Sequence, residues 1–433
     1  MQQPRPLSTW KRALFSCVLL LFAFGLIELA VRVYFSTIVG PSVLLYGTGF
    51  ARQSVDPTER PAPVAADSSQ PKEAKDYLTA SRRTQWTNRS VEQHQNAVAG
   101  GYSKYYPNQS RFDFDVETGE RFPVTINSKG FRGREFSEQK APNIIRVVTL
   151  GASSTLGYFA RDDETYPVYL EKLLNESLAG DSIEVINLGI PHLTVANIHA
   201  LLINEALPLD PDVITFYEGN NDAMHLEDAL SQQSALRKMA GMVGGRLLTV
   251  AFIANFLDNP WHRAHSPEVV ATHSDAIAKD FLSHLSLINE ECEKRGILFV
   301  VASQQRNSQS VERPMLKGMT YQRERAQIEE RLRAHQKMTS QELTFLAHAV
   351  LMDRLKEWAR TNHVAYADVI GRLDQDREVL VSWVHLSARG NQLVAATFAD
   401  EIRRHWPPRA VAARSATAHR STTRRPPLEE SKT

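Results

Sequence analysis

Five short apolar runs recur through the later part of the chain, at Ile144–Leu150, Ile183–Leu188, Val213–Tyr217, Ile297–Ala302 and Val364–Ala367. Each has the length of a strand, and the first is rich in β-branched residues. Between them lie helix-length stretches, including Tyr166–Leu178, Thr194–Leu207, Asp275–Arg295 and Gln341–Thr361. Strands alternating with helices predict parallel βαβ units, an α/β fold with helices on both faces of one parallel sheet.

In such a sheet ligands bind beyond the carboxyl ends of the strands. The polar residues just past each run are therefore the candidates. After the first run comes Gly151-Ala-Ser-Ser-Thr155, a tight strand-to-helix turn. A serine there has its backbone N–H at the positive end of a helix dipole, where an oxyanion is stabilised, which makes Ser153 the candidate nucleophile. The same turn suits plain structure or a phosphate cradle. After the second run, Asn187-Leu-Gly-Ile-Pro191 offers a glycine turn that can aim a backbone N–H into the same cleft. After the third, Glu218-Gly-Asn-Asn-Asp222 offers carboxamide donors. Past the fifth, Ser382-Trp-Val-His-Leu-Ser-Ala-Arg-Gly390 presents His385 on a loop before a last helix beginning near Asn391. Taken singly, His385 reads equally as polar filling, Gly189 as backbone geometry and Asn221 as a helix cap. Placed together at one rim they supply a nucleophilic oxygen, a base and oxyanion donors, the combination acyl transfer needs.

At these residues the chain resembles the SGNH hydrolases, also called the GDSL esterase/lipase family, whose four blocks supply Ser, Gly, Asn and His. Gly151–Thr155 resembles the first block, Asn187-Leu-Gly189 the second, Gly219-Asn-Asn-Asp222 the third and Ser382-Trp-Val-His385 the last, over roughly Asn127 to Trp406. Asn127-Ser-Lys-Gly-Phe-Arg-Gly133 is similar to membrane-anchored bacterial members. The resemblance implies a flavodoxin-like three-layer α/β/α sandwich with a parallel five-stranded sheet. It also implies Ser153 as nucleophile, His385 as base, and Gly189 and Asn221 joining the Ser153 amide in the oxyanion hole. Two positions depart from the family. Ala152 replaces the first-block aspartate, as in many relatives, and Ser382 stands where the triad aspartate is expected. Three readings are open at the third position: a Ser–His dyad oriented by a backbone carbonyl or by Ser382, a carboxylate recruited from Asp368, Asp374, Asp376 or Glu378, or an inactive relative that only binds its ligand.

The N-terminal part sets the location. Ala13 to Ile27 carries no charge and apolar character continues to Phe35, interrupted by Glu28 and Arg32. As a helix, Ala13 to Val31 rises about 28 Å, close to the ~30 Å hydrocarbon core. Residues 13–35 are therefore expected to be a transmembrane signal anchor, with Glu28 and Arg32 pairing on one helix face. Arg5, Lys11 and Arg12 keep residues 1–12 cytoplasmic and send the remainder across, to the periplasm in a Gram-negative cell. The rival reading is a signal peptide cleaved at Ala23-Phe-Gly25.

Residues 36–99, rich in Pro, Ala, Ser and acidic residues, read as a flexible tether, and 100–140 as a β-containing lead-in with alternation at Phe122–Ile126. The main domain is expected at 141–406 with insertions at 224–267 and 304–338. The first insertion centres on Leu247–Phe256 and reads as a core-covering helix or a wall for an acyl chain. The second is Arg/Glu-rich and reads as a solvated helix with charges paired along its face, or a cover for the site. Residues 407–433 form a basic tail expected to be disordered.

Lys+Arg 50 against Asp+Glu 49 argues against a nucleic-acid partner held by bulk charge. Two cysteines exclude a disulfide scaffold, and no zinc-type Cys/His spacing appears, so neither metal nor cofactor is expected. The chain thus reads as a membrane-anchored serine esterase acting on an ester, such as an acylated envelope carbohydrate, through an acyl-serine intermediate. The alternatives are an O-acyltransferase on envelope glycans and a catalytically silent binding protein.

Overall fold

A computed structural model describes residues 9–39, 96–98, 101–177, 182–231 and 265–406 of the 433-residue chain. The N-terminal helix α1 spans Thr9–Val39, and its Leu14–Val33 stretch has a mean hydropathy of 2.5. Among the described residues it is the one helix long and apolar enough to cross a membrane. The Glu28 carboxylate accepts from Arg32 Nε at 2.8 Å, the pairing that four-residue spacing allows.

Two small antiparallel ladders come next. Strand β1 (Asn96–Val98) pairs with β2 (Tyr102–Lys104), and β3 (Ser110–Phe114) with β4 (Arg121–Thr125). β1 falls inside the span read as tether. Along β4, exposed and buried residues alternate, as the sequence alternation requires of a half-covered strand. Phe122, Val124 and Ile126 face inward with Tyr105 onto Leu156.

The main sheet is parallel and five-stranded: β5 (Ile144–Gly151), β6 (Ser182–Asn187), β7 (Val213–Tyr217), β8 (Leu298–Ala302) and β9 (Ala365–Ala367), in the order β6-β5-β7-β8-β9. This is the flavodoxin-like order, in which the chain reverses direction across the sheet between β5 and β7. The helices are α2 (Ser153–Leu156), α3 (Tyr166–Ser177), α4 (Val195–Leu201), α5 (Asn220–Ala223), α6 (His225–Ser231), α7 (Pro267–Arg295), α8 (Tyr321–Arg333), α9 (Ser340–Thr361), α10 (Val369–Leu373) and α11 (Ala388–His405).

The period of two in β5 explains the three layers. Val148 and Leu150 join the core with Ile198 of α4, Phe281 and Leu285 of α7, and Leu351 and Leu355 of α9. Ile145 and Val147 belong to the opposite core, with Tyr166 and Leu170 of α3 and Val394 and Phe398 of α11. Each fully buried Leu or Phe contributes about 1.5–3 kcal/mol, so both helix layers are held by the same uninterrupted strands. The α/β/α sandwich expected from the sequence is what the chain forms.

The two expected insertions fare differently. Leu247–Phe256 lies outside the described residues, as do the tether at 40–95 and the tail from 407. The Arg/Glu-rich stretch, read as a solvated helix, instead lays one face inward. Tyr321, Ile328 and Leu332 of α8 pack against Leu343 and Phe345 of α9. Glu324 is buried against Arg377, with Oε2 2.5 Å from Nη2. Charge pairing is present on the outer face, where Arg325 bridges Glu329 and Asp353.

Candidate active site

The turn after β5 places Ser153 at the start of α2, a helix of one turn that Gly157 closes in the left-handed region at φ 95°. The first N–H groups of a helix have no partner inside it, so the Ser153 amide is available as a donor. Arg132, from the lead-in, braces the loop that leaves this turn. Its buried guanidinium donates to the carbonyls of Gly157 and Ala160, both at 2.6 Å, and bridges Asp162 at 3.0 Å. The motif around Arg132 therefore stabilises the exit from the nucleophile turn.

His385 reaches this turn from the loop before α11. Its Nε2 lies 2.9 Å from Ser153 Oγ, and its Nδ1 lies 2.7 Å from Ser382 Oγ. Ser382 thus occupies the third position. The carboxylates weighed from the sequence are committed elsewhere. Asp368 caps α10 by accepting from the Gly371 amide, Asp374 accepts from the Tyr321 amide, and Asp376 bridges Arg389. Each is held by a partner of its own, which is why proximity in sequence to His385 did not bring them to its ring. Glu378 sits in the short 3-10 turn Arg377–Val379, where its carbonyl accepts from Arg313.

His385 is 5% exposed, and burial, with the nearby His192 adding to it, pushes its imidazole down to about 3. Tyr158 and Phe159 lie with ring centroids 5.3 Å from it and Trp383 at 6.0 Å, forming an aromatic wall. Phe159 adopts a left-handed backbone, φ 64°, which is rare for an aromatic residue. It is held there by Asp113 of β3, whose carboxylate accepts from the Phe159 amide at 2.8 Å, and by Phe114 against its ring. The lead-in hairpin is thereby part of the site.

Gly189 and Asn221 both reach the site, with different outcomes. The Gly189 amide donates to Asn187 Oδ1 at 2.9 Å in an Asx turn, so its one hydrogen is engaged. What the position demands is the absence of a side chain, since a Cβ there would lie 2.2 Å from the Leu156 amide nitrogen of α2. In this geometry the amide expected to serve as an oxyanion donor points to Asn187. The Asn221 carboxamide donates to the Leu193 carbonyl at 2.9 Å. An amide NH2 carries two hydrogens, and this bond uses one of them.

Several polar residues that the sequence did not single out hold these pieces in register. The six residues Ser303–Ser308 after β8 are all buried, though none is apolar. Gln304 accepts from the Asn220 amide at 2.8 Å and donates to Ser154 Oγ at 3.2 Å. Ser154 Oγ in turn donates to the Val384 carbonyl, and Asn307 donates to the carbonyls of Ser382 and Trp383. Glu218 is 1% exposed and accepts the Asn221 backbone N–H at 2.8 Å, while the backbone amides of Gly219, Ala152 and Asn220 favour its charged form. Burial pushes its carboxyl up to about 7 against those bonds. One side chain therefore ties the turn after β7 to the turn before Ser153. The only hint of this in the sequence is an acidic residue directly after an apolar strand.

Among the described residues, no group of His, Cys, Asp or Glu is arranged to hold a metal ion. A hydroxyl and an imidazole at hydrogen-bond distance beside the sheet's switch point are a pair suited to nucleophilic acyl chemistry.

Solved structures similar to the chain include a member of the lipolytic protein G-D-S-L family from Veillonella parvula DSM 2008, at 12% identity over 60% of this chain and 98% of that one, TM-score 0.35. A GDSL-like lipase from Bacteroides thetaiotaomicron VPI-5482 aligns at 14% identity over 60% of this chain and 88% of that one, TM-score 0.34. An acetylxylan esterase from Geobacillus stearothermophilus aligns at 14% identity over 60% of this chain and 94% of that one, TM-score 0.36. No curated protein matches the chain. Over residues 149–294, the stretch that carries Ser153, Gly189 and Asn221 but ends before His385, the chain matches the GDSL-like lipase/acylhydrolase family.

Proposed function

We propose that this protein is a membrane-anchored serine esterase whose Ser153 is acylated by its substrate. The observation that carries the reading is the bond of 2.9 Å between Ser153 Oγ and His385 Nε2. His385 takes the proton as Oγ attacks the ester carbonyl, and the imidazolium then shares its Nδ1–H with Ser382 Oγ. The tetrahedral oxyanion lies against the Ser153 amide and the second N–H of Asn221. The Gly189 amide would join them by turning away from Asn187. Collapse releases the alcohol, which takes the proton from His385, and water hydrolyses the acyl-serine by the same steps in reverse roles.

The apolar helix α1 supports anchoring, and Arg5, Lys11 and Arg12 before its apolar stretch support an extracytoplasmic domain. Acylated carbohydrate of the cell envelope is the substrate class that fits this location. The flat faces of Tyr158, Phe159 and Trp383 beside the nucleophile suit a sugar ring. If a sugar hydroxyl replaces water in the second half-reaction, the same site is an O-acyltransferase.

The test is hydrolysis of a short-chain aryl acetate by the full chain in detergent, beside Ser153→Ala and His385→Ala. Turnover lost in both variants supports the reading. Turnover retained in Ser153→Ala excludes it.

A further inference from the structure

Ser382 Oγ does more than lie near His385 Nδ1. It also accepts the backbone N–H of His385 at 3.0 Å and of Val384 at 3.3 Å. A serine hydroxyl has one hydrogen to donate and two lone pairs to offer. The two amides occupy both lone pairs, which leaves the hydroxyl hydrogen for the third neighbour, Nδ1 at 2.7 Å. A carboxylate in this place can only accept, so it obliges Nδ1 to carry the proton. Serine, with its acceptor sites filled by its own loop, does the reverse.

We propose that Ser382 donates its hydroxyl hydrogen to His385 Nδ1 and so holds the resting imidazole in the Nε2–H tautomer, leaving the dyad poised but inactive. In that tautomer Nε2 donates to Ser153 Oγ and has no lone pair with which to take its proton. Ser382 is then a positioning residue that sets which ring nitrogen is basic. Turnover requires a tautomer exchange carried by solvent water: one water takes the hydrogen from Nε2, another returns one to Nδ1, and the Ser382 hydroxyl rotates to accept from it, giving up the longer bond from Val384. The resting ring is neutral before and after the exchange. Burial favours this neutral chemistry, because an imidazolium in the aromatic enclosure would be poorly solvated. In a Ser-His-Asp protease, replacing the aspartate by a side chain that donates to the ring leaves the wrong tautomer and lowers kcat about 10⁴-fold. The same logic gives this site a low basal rate.

The proposal rests on the acyl-serine reading above, and its test separates the two. The full chain, labelled with ¹⁵N,¹³C-histidine in detergent micelles, is compared by ring ¹⁵N spectroscopy with His385→Gln to assign the His385 signals. The expected result is a hydrogen on Nε2 and a bare Nδ1 in the wild type. In Ser382→Asp the hydrogen moves to Nδ1, and kcat on an aryl acetate rises at least about tenfold with KM nearly unchanged. A wild-type ring carrying its hydrogen on Nδ1 overturns the proposal, whether or not Ser382→Asp folds. A wild-type ring with Nε2–H, in a protein whose folded Ser382→Asp variant also leaves Ser153 unlabelled by a serine-reactive probe, upholds the tautomer and overturns the acyl-serine reading.

Discussion

Ser153 Oγ and His385 Nε2 lie 2.9 Å apart across 232 residues of sequence, one in the turn after strand β5 and the other on the loop that opens α11. A base positioned at hydrogen-bond distance contributes about 10²–10⁴-fold to the rate. His385→Ala should lower kcat for an aryl acetate within that range while KM changes little. The ring fills space between Tyr158, Phe159 and Trp383, so the folded state should be checked by the thermal midpoint.

In the proposed mechanism Asn221 supplies its second carboxamide hydrogen to the oxyanion, and loss of one oxyanion donor costs about 10²–10³-fold in kcat. Asn221→Ala is expected to show that loss with the substrate still bound. Steady-state kinetics on one ester substrate measure both quantities. An unchanged kcat would remove Asn221 from the oxyanion site.

The His385 imidazole is pushed down to about 3 by burial, with His192 adding to it. A base with a depressed pKa remains neutral as pH falls, until the pH reaches its folded value. His385 should therefore stay uncharged at pH 5, where an ordinary histidine with a pKa near 6.5 is mostly protonated. A ring-carbon NMR titration of the labelled full chain would show its signals unmoved between pH 8 and 5, against movement in an exposed histidine.

Glu218 has the opposite shift, from 4.5 up to about 7, because it is buried. A carboxyl raised on folding stabilises the native state while both forms are protonated, and that contribution is lost as pH rises from about 4.5 through 7. Glu218→Gln removes this titration. The thermal midpoint of the variant should therefore gain on that of the wild type across this window. It should also lose turnover, because a carboxamide offers one acceptor oxygen and two hydrogens where the carboxylate offers two acceptors to the amides around it.

Asp113→Ala removes the acceptor that keeps Phe159 at positive φ. Left-handed backbone at a non-glycine residue costs on the order of 1–3 kcal/mol and persists only when its surroundings impose it. The variant should relax Phe159 away from His385 and raise KM for a bulky ester more than for a small one. Equal KM changes for both would show that the hairpin does not shape the cleft.

What the sequence disclosed and what it hid divide along physical lines. The strands were legible because β5 and β7 are apolar on both faces, a pattern that only a doubly covered sheet satisfies. Ser153, Asn221 and His385 were legible because each comes after such a strand or its connection at one rim. Ser303–Ser308 was not, since a run of serines, glutamines, an arginine and an asparagine has the composition of a surface loop. Its burial depends on partners far away in sequence, Asn220 and Ser154 for Gln304 and the Ser382 carbonyl for Asn307. Glu324 was hidden for the same reason: in a helix of Arg and Glu nothing local marks the one carboxylate that meets Arg377 in the interior. Gly189 stands in the turn that follows β6, but its packing against α2 and the Asn187 bond could be known only once the two turns were seen together.

The most direct measurement is the mass of the intact protein after exposure to a fluorophosphonate or an activated ester in detergent, with peptide mapping of the adduct. A single adduct on Ser153 in the wild type, absent from Ser153→Ala, is the predicted result. An adduct that persists in Ser153→Ala, or a folded wild type that forms none under forcing reagent concentration, would contradict the acyl-serine account.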